Sequence, residues 1–394
     1  MDIDQKDNKK KELESETVLV LQGGGSLGAY ECGVYKSLYK HGIKFDILAG
    51  SSIGAINASI ICSAQNANED AAEVLENFWM ALAEDIQFPP LLPSSTLFPI
   101  SPSSLSPDKM MAIISSMYSA IYGHPKAFMP RWFKLASTDY YLPFYKWNYL
   151  YDSAPLRNTL KEFIDFRYLK KRFNQNGDKQ QSRLIITSTD IQKGKPVIFD
   201  SEKVDIDIDK IISCVGYPFY GIIWSQDDES YLWDGSLLTN TPMLEVIHAS
   251  PKYDKKFYIV DVFPRQQKEL PGNMIEVWHR ARDIIFMDKT DKNVQMLENL
   301  EKYLSLLKKI NSIINADDAQ IDKKTRARLK ELEPEYNELT QRRGAIVKEL
   351  TRIGRLEKTH YLLEDADFSF YRIKKLIKEG EEHAETVINR KAVA

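Results

Sequence analysis

Residues Phe45 to Ala58 read FDILAGSSIGAINA, and this stretch decides the fold. A short apolar run ends at Ala49, the glycine-flanked sequence Gly50-Ser51-Ser52-Ile53-Gly54 follows, and small and aliphatic residues continue with helical character. The pattern predicts a strand, a sharp turn and a helix, which is the G-x-S-x-G arrangement with a serine at the apex of a strained turn. Glycines flank such a serine because a Cβ there would clash with the neighbouring strand and helix.

Ser52 is therefore the candidate nucleophile. The predicted turn lifts its hydroxyl to the C-terminal edge of a sheet and places it at a helix N-terminus, where backbone N–H groups and the helix dipole favour negative charge. The pentapeptide by itself is weak support, because a glycine–serine loop that joins a strand to a helix has the same sequence pattern.

A second unit of strand, glycine turn and helix precedes the first. The run Thr17–Leu21 predicts a buried strand, GGGSLGAY follows at Gly23–Tyr30, and residues 33–38 continue at helical spacing. The two units together predict a βαβα arrangement whose strands are parallel neighbours joined by a right-handed crossover. Consecutive glycines let backbone N–H groups converge on one point, as an oxyanion hole requires. We expect the two glycine turns to face each other at the sheet edge where α/β proteins place their sites.

The same glycines also have two nucleotide-binding interpretations. Gly23, Gly25 and Gly28 satisfy G-x-G-x-x-G, and Asp46 lies at roughly the distance expected of a ribose-binding acid. Asp46 is followed at once by the G-x-S-x-G turn, however, whereas a ribose-binding acid should end its strand and face the cofactor. A P-loop would need Gly-Lys-Ser/Thr after the glycines, and the sequence does not contain it there.

Composition excludes several classes of protein. The 394 residues are 43% hydrophobic, enough for one large core or two modest ones. The 53 Lys and Arg against 56 Asp and Glu give a net charge of −3, which offers no global attraction to nucleic acid. The cysteines are isolated in apolar surroundings, so they predict neither a disulfide framework nor a metal site; they are Cys32, Cys62 and Cys214. No signal-peptide core or membrane-spanning run is visible, so we expect a cytoplasmic protein whose contact with a membrane is peripheral. We also expect no cofactor.

The chain is predicted to divide into three parts. Residues 1–16 are a polar, disordered lead-in, residues 17–265 form an α/β domain, and residues 266–394 form a helical region. Residues 86–150 are rich in proline, methionine and aromatic residues, which predicts an apolar helical insertion that packs internally or acts as a lid lining an acyl cleft. The C-terminal region has apolar residues at helical steps, so its helices are solvated on one face, bind a membrane or partner, or pair in a homodimer.

A third motif lies near the end of the α/β domain. The apolar strand Tyr231–Trp233 leads into Asp234-Gly235-Ser236 and on to Asn240-Thr241-Pro242. An acidic residue directly before a glycine at a strand end is held in a tight loop with its carboxylate constrained. Without the serine turn, an ordinary Asp-Gly β-turn would be the preferred interpretation.

The three motifs, in this order and context, resemble the patatin-like phospholipase family. The resemblance covers roughly residues 17–265. It implies an α/β, three-layer fold with a central mostly parallel sheet, and hydrolysis of lipid acyl esters by a Ser–Asp dyad. We therefore expect a phospholipase A or a lysophospholipase. The resemblance assigns Ser52 as nucleophile and Asp234 as general base. The glycines that it assigns are the oxyanion-hole residues Gly23, Gly24 and Gly25, and the motif residues Gly28, Gly50, Gly54 and Gly235.

The sequence departs from the family pattern at two positions. Leu27 stands where many relatives have arginine or lysine, and Ser236 replaces the commoner glycine or alanine. A Ser-His-Asp triad is the competing mechanism, but none of the six histidines lies in a glycine-turn context that the sequence alone would mark as catalytic. His248 is expected to be a surface or packing residue. Two other functions stay open, namely a soluble esterase or thioesterase and a catalytically silent lipid-binding scaffold.

Overall fold

The computed structural model describes most of the chain. The described residues are 15–83, 115–116, 118–119, 121–133, 147–170, 181–225, 229–250, 253–267, 270–272, 274–287, 289–315, 322–341, 347–356 and 364–393. Most of the insertion or lid predicted over residues 86–150 lies outside the described residues, as does the predicted lead-in before Ser15.

A single large sheet organises the α/β fold. Its strands follow the order β10-β9-β1-β2-β5-β8-β7, and β6 pairs with β5; two very short strands, β3 and β4, form a separate pair. The strands are β1 (Ser15–Leu21), β2 (Ile47–Ser51), β3 (Met129–Pro130), β4 (Tyr151–Asp152), β5 (Arg183–Asp190), β6 (Lys195–Asp200), β7 (Ile223–Ser225), β8 (Ser230–Asp234), β9 (Asp254–Asp261) and β10 (Val347–Gly354).

The centre of the sheet is parallel. Val18 of β1 pairs with Ile47 of β2, and Ile47 pairs in turn with Arg183 of β5, so three parallel strands lie side by side. These strands are buried almost throughout, as expected for parallel strands covered on both faces. β6 and β8 both run antiparallel to β5. The predicted α/β class with a central parallel sheet is thereby confirmed, together with the C-terminal helices.

Helices follow the strands in alternation through the first part of the chain. They are α1 (Gly28–Lys40), α2 (Ile53–Ala67), α3 (Ala71–Leu82), α4 (Ala154–Phe163), α5 (Ile208–Cys214), α6 (Met243–Ala249), α7 (Met274–Phe286), α8 (Thr290–Ile314), α9 (Lys323–Gln341) and α10 (Phe370–Val393). None of the helices in the described ranges combines the length and the apolar content needed to cross a bilayer.

The C-terminal helix α10 packs directly on α1. A Cβ on Gly33 would lie 1.8 Å from the main-chain oxygen of Ile377, and one on Gly380 would lie 2.1 Å from that of Tyr30. The two backbones therefore touch at their crossing, which only glycine permits. The Tyr30 hydroxyl and Nδ1 of His383 lie 3.0 Å apart. The end of the chain is thus part of the α/β core.

The chain forms two compact units. The larger consists of Thr17–Pro242, Tyr258–Asp288 and Thr351–Ala394, and the smaller of Met1–Glu16, Met243–Phe257 and Lys289–Leu350. In the smaller unit, the buried ammonium group of Lys255 donates to Glu16 Oε2 at 2.7 Å and to the Ser250 carbonyl at 2.7 Å. The boundaries predicted after residues 16 and 265 stay predictions.

Candidate active site

Ser52 and Asp234, which are 182 residues apart, lie in direct contact. The Ser52 hydroxyl donates to Oδ2 of Asp234 at 2.6 Å. The register of the sheet explains the approach, because Ser51 at the end of β2 pairs with Thr187 of β5, and Asp234 at the end of β8 pairs with the next residue, Ser188. β5 therefore brings the ends of β2 and β8 together.

Ser52 occupies a strained turn between β2 and α2. Its backbone has φ 53° and ψ −128°, in the half of the map that non-glycine residues rarely enter. A Cβ on Gly50 would lie 2.2 Å from the Gly54 carbonyl oxygen, and one on Gly54 would lie 2.4 Å from the Leu21 carbonyl oxygen. Both glycines of G-x-S-x-G are thus required by the close packing of the turn, for the reason expected from the sequence.

Asp234 is a buried acid with well-placed donors. It is 2% exposed, Oδ1 accepts from the Ser236 amide at 2.8 Å, and its own amide donates to the Gly216 carbonyl at 3.0 Å. Burial raises the pKa of Asp234 to about 6, because the charged form loses its hydration, while hydrogen bonds from Ser52 and Ser236 act in the opposite direction. An acid with this pKa is mostly ionised at neutral pH and is still basic enough to accept a proton.

The loop of three glycines lies against Ser52. A Cβ on Gly23 would lie 2.7 Å from the Ser52 Cβ. The Gly23 amide donates to the Asn240 side-chain oxygen at 3.0 Å, so it is already engaged. The amides of Gly24 and Gly25 donate to no acceptor in the described part of the chain. Of the three amides predicted to form an oxyanion hole, only that of Gly23 has an acceptor among the described residues.

Two side chains that the sequence did not mark as functional hold the loop. Oε1 of Gln22 accepts the amides of Val262 at 2.9 Å and Phe263 at 3.1 Å, while Nε2 donates to the Phe286 carbonyl at 3.1 Å. Nδ2 of Asn240 donates to the same Phe286 carbonyl at 2.8 Å. The one sequence signal for Gln22 is a polar side chain at the end of a buried strand, since buried amides need partners.

The structure also bears on the alternatives raised by the sequence. Within the described residues, the Asp234 carboxyl group binds Ser52 and Ser236 and no histidine, and His248 is exposed. Asp46 accepts the Thr17 amide at 2.7 Å, at the start of β1, whereas the glycine loop follows the end of β1. Asp46 is therefore at the wrong end of the sheet to bind a ribose beside those glycines.

Comparison with known proteins identifies the family. Residues 19–247, more than half of the chain, match the family described as patatin-like phospholipase. The chain belongs to the patatin-like phospholipase family. Its matched region contains Ser52, Asp234 and the glycine loop, whereas Phe286 lies beyond it.

Two curated lipases share short segments with this patatin-like chain. The triacylglycerol lipase ptl3 of Schizosaccharomyces pombe is 37% identical over 68 residues, which are 17% of this chain and 14% of that lipase. The triacylglycerol lipase SDP1L of Arabidopsis thaliana is 44% identical over 45 residues, 11% of this chain and 6% of that lipase. The chain thus matches only a small part of the length of either relative.

Two solved structures are similar over more of the chain. VipD from Legionella pneumophila is 11% identical with a TM-score of 0.36, covering 96% of this chain and 67% of VipD. The type III effector protein ExoU is 14% identical with a TM-score of 0.24, covering 84% of this chain and 72% of ExoU.

Proposed function

We propose that this patatin-like protein is a serine acyl hydrolase that cleaves carboxylic esters of lipids, of the phospholipase A or lysophospholipase type. The observation that carries the proposal is the 2.6 Å hydrogen bond from the Ser52 hydroxyl, at the apex of a strained turn, to the buried carboxyl group of Asp234. A serine hydroxyl becomes a useful nucleophile only when a base accepts its proton. Among the residues that the structure describes, Asp234 is the titratable side chain bound to it.

The first half of the proposed reaction forms an acyl-enzyme. The Ser52 oxygen attacks the ester carbonyl carbon as its proton passes to Oδ2 of Asp234. The carbonyl oxygen becomes an oxyanion, and the free amides of Gly24 and Gly25 stabilise it. When the intermediate collapses, the bond to the alcohol breaks, the acyl group stays on Ser52, and the departing alcohol takes the proton from Asp234.

The second half releases the acid. A water molecule gives a proton to Asp234 as its oxygen attacks the acyl carbonyl carbon, and the same two amides stabilise the second oxyanion. The bond from the carbonyl carbon to Ser52 then breaks, and Asp234 returns its proton to the Ser52 oxygen. The free carboxylic acid leaves and the resting dyad is restored.

Exposed apolar side chains in two segments near Asp234 support contact with a lipid surface. Residues 216–225 and 235–243 contain no charged side chain. Phe219 and Leu238 in these segments are 54% and 49% exposed, and the Gly216 carbonyl accepts the Asp234 amide. Exposed apolar side chains beside a site for acyl esters favour a membrane or micelle surface as the location of the substrate.

The exposed face of helix α8 is evidence that this chain pairs with a second copy of itself. Five apolar residues recur along it at alternating steps of four and three; they are Met296, Leu300, Tyr303, Leu307 and Ile310. All five are exposed. A 3–4 repeat of apolar residues is the pattern by which two helices pack along a seam.

The function is tested with purified full-length protein and three variants. Fatty-acid release from phosphatidylcholine vesicles containing phosphatidylglycerol, and cleavage of p-nitrophenyl butyrate as a monomeric ester, are measured for wild type, Ser52→Ala, Asp234→Asn and His248→Ala. We expect Ser52→Ala to be inactive, Asp234→Asn to lose about 10²–10⁴-fold in kcat because it cannot accept the proton, and His248→Ala to match wild type.

Two further outcomes separate the alternative functions. Labelling of wild type, but not of Ser52→Ala, by a fluorophosphonate is expected and would exclude a catalytically silent scaffold. A higher rate on vesicles than on the monomeric ester is expected of a lipid hydrolase, whereas a soluble esterase or thioesterase would show the reverse. Full activity in folded Asp234→Asn together with a loss in His248→Ala would remove the dyad.

A further inference from the structure

A turn from the end of the chain lies directly against the glycine loop. Gly25 has a φ of +58°, and a Cβ on it would lie 2.3 Å from the main-chain oxygen of Asp365. The neighbouring Ser26 is buried, and its hydroxyl donates to the main-chain oxygen of Glu364 at 2.8 Å. Glu364 is 338 residues away from Ser26 in sequence and lies well outside the family-matched region, which ends at residue 247.

Glu364 is fixed by three arginines. Its carboxyl group is 1% exposed, and Arg355 donates to its two oxygens at 2.7 and 3.3 Å. Arg372 donates to Oε2 at 3.1 Å and Arg282 to Oε1 at 3.2 Å. Arg282 also donates to Oδ1 of Asp365 at 2.8 Å. A buried carboxyl group with several charged donors has little freedom to move, so the turn that bears on Gly25 and Ser26 is rigidly placed.

Helix α7 connects this turn to the other end of the loop. Arg282 on α7 binds the Glu364 turn, and Phe286, one helical turn further along α7, accepts from Asn240 at 2.8 Å. Asn240 in turn accepts the Gly23 amide at 3.0 Å. The loop is therefore held at Gly23 from one side and at Gly25 and Ser26 from the other, and both supports run through α7.

We infer that Ser26, Asn240 and Glu364 are positioning residues, which hold the Gly24 and Gly25 amides at the place where the oxyanion forms. Helix α7 and the Glu364 turn thereby complete, from outside the family-matched region, a site whose reacting groups lie inside it. The inference rests on the proposed acyl-hydrolase function. Oxyanion donors act only within about 2.7–3.1 Å of the developing charge, so a loop that shifts loses transition-state binding and keeps substrate binding.

The test compares Ser26→Ala and Glu364→Gln with wild type and with the matched control Glu381→Gln. Glu381 lies on α10 and pairs with Lys36 at 2.6 Å, away from the loop. With p-nitrophenyl butyrate, we expect kcat to fall about 10- to 100-fold in both loop variants, with KM within about twofold of wild type. The control should keep the wild-type kcat.

The affinity of a trifluoromethyl ketone inhibitor is a second measurement. It would not change if Ser26 and Glu364 had a purely structural role. The Ser52 oxygen adds to the inhibitor's carbonyl carbon, Asp234 takes the serine proton, and the carbonyl oxygen becomes an oxyanion in the glycine loop. We expect its affinity to fall in Ser26→Ala and Glu364→Gln by the same factor as kcat/KM, because both depend on the same two amides.

The outcomes separate this inference from the function on which it rests. Wild-type kcat and inhibitor affinity in folded Ser26→Ala overturn the inference, even if its melting temperature falls, since the contact would then serve stability alone. Ser26→Ala leaves the arginines around Glu364 intact, so it decides the matter if Glu364→Gln does not fold. A wild type without esterase activity, or Ser52→Ala with full activity, would remove the acyl-hydrolase proposal and this inference together.

Discussion

Two opposing effects set the acidity of Asp234. Burial raises its pKa from 3.8 to about 6, and the hydrogen bonds from Ser52 and Ser236 limit the rise because they bind the charged form. The shift corresponds to roughly 3 kcal/mol. Because the folded protein holds this proton more tightly than the unfolded chain, the Asp234 contribution to stability is present below about pH 4 and is lost as the pH rises through about 6. The ionised form of Asp234, which the proposed mechanism needs, therefore lowers the stability of the fold.

The pH profile of activity should report the same group. The proposed mechanism needs ionised Asp234, so we expect kcat/KM to rise about tenfold per pH unit below about 6 and to level off above it. Ser236→Ala removes a side-chain hydrogen bond that lowers this pKa while it keeps the amide, so the midpoint should move to higher pH. The measurement is kcat/KM for p-nitrophenyl butyrate across pH 4.5 to 8.5.

The control for the pH profile is Thr189→Val. Thr189 donates at 2.9 Å to the main-chain oxygen of Asp234, not to its carboxyl group, so the midpoint should stay at the wild-type value. A midpoint in Ser236→Ala that stays in place or moves to lower pH would contradict the assignment of Asp234 as the base.

At the scale of elements, short-range sequence patterns were enough to predict β1, β2 and the serine turn. The runs Thr17–Leu21 and Phe45–Ala49 are apolar, and glycines end both, so the parallel pair β1 and β2 could be predicted and is confirmed. The contacts that hold the glycine loop could not be predicted from such patterns. Gly23 meets Asn240 across 217 residues and Ser26 meets Glu364 across 338, and both bonds depend on backbone placement that no local pattern encodes.

A substitution of Gly380, where α10 crosses α1, would have two opposing effects on stability. By helix propensity alone, Gly380→Ala should stabilise α10 by about 1 kcal/mol. A Cβ there would lie 2.1 Å from the Tyr30 carbonyl oxygen, however, and backbone cannot move aside cheaply. We expect the clash to dominate and the free energy of unfolding in urea to fall by about 1–3 kcal/mol.

Gly354→Ala serves as the control for that substitution. Gly354 ends β10, and a Cβ on it would meet its nearest neighbour, Asp261, at an ordinary 3.8 Å. Its free energy of unfolding should stay close to that of wild type. If Gly380→Ala were as stable as wild type or more stable, α10 would not pack on α1 as closely as described.

At the scale of the whole molecule, the site-bearing unit is assembled from three separate stretches of chain. Thr17–Pro242 carries the dyad, and Tyr258–Asp288 and Thr351–Ala394 carry the residues that enclose the glycine loop. The stretch Lys289–Leu350 belongs to the other compact unit. The family match ends at residue 247, so the two later stretches lie beyond it, although they contact the glycine loop.

Helix α8 in that other unit carries the exposed apolar repeat along which two copies would pair. Its charged residues Glu298, Glu301, Lys308 and Lys309 do not occupy the positions that flank this repeat, so they specify no direction of pairing. The exposed apolar repeat from Met296 to Ile310 would form the seam between the two copies.

Sedimentation equilibrium tests the pairing of two copies through α8. Wild type should have twice the 45.4 kDa mass of the chain, and Leu307→Glu, in the seam, should be monomeric, since a buried unpaired charge opposes association. Leu332→Glu on α9 is the control, because Leu332 is also exposed and lies outside the seam. If wild type stays monomeric at tens of micromolar, the proposed dimer through α8 is wrong.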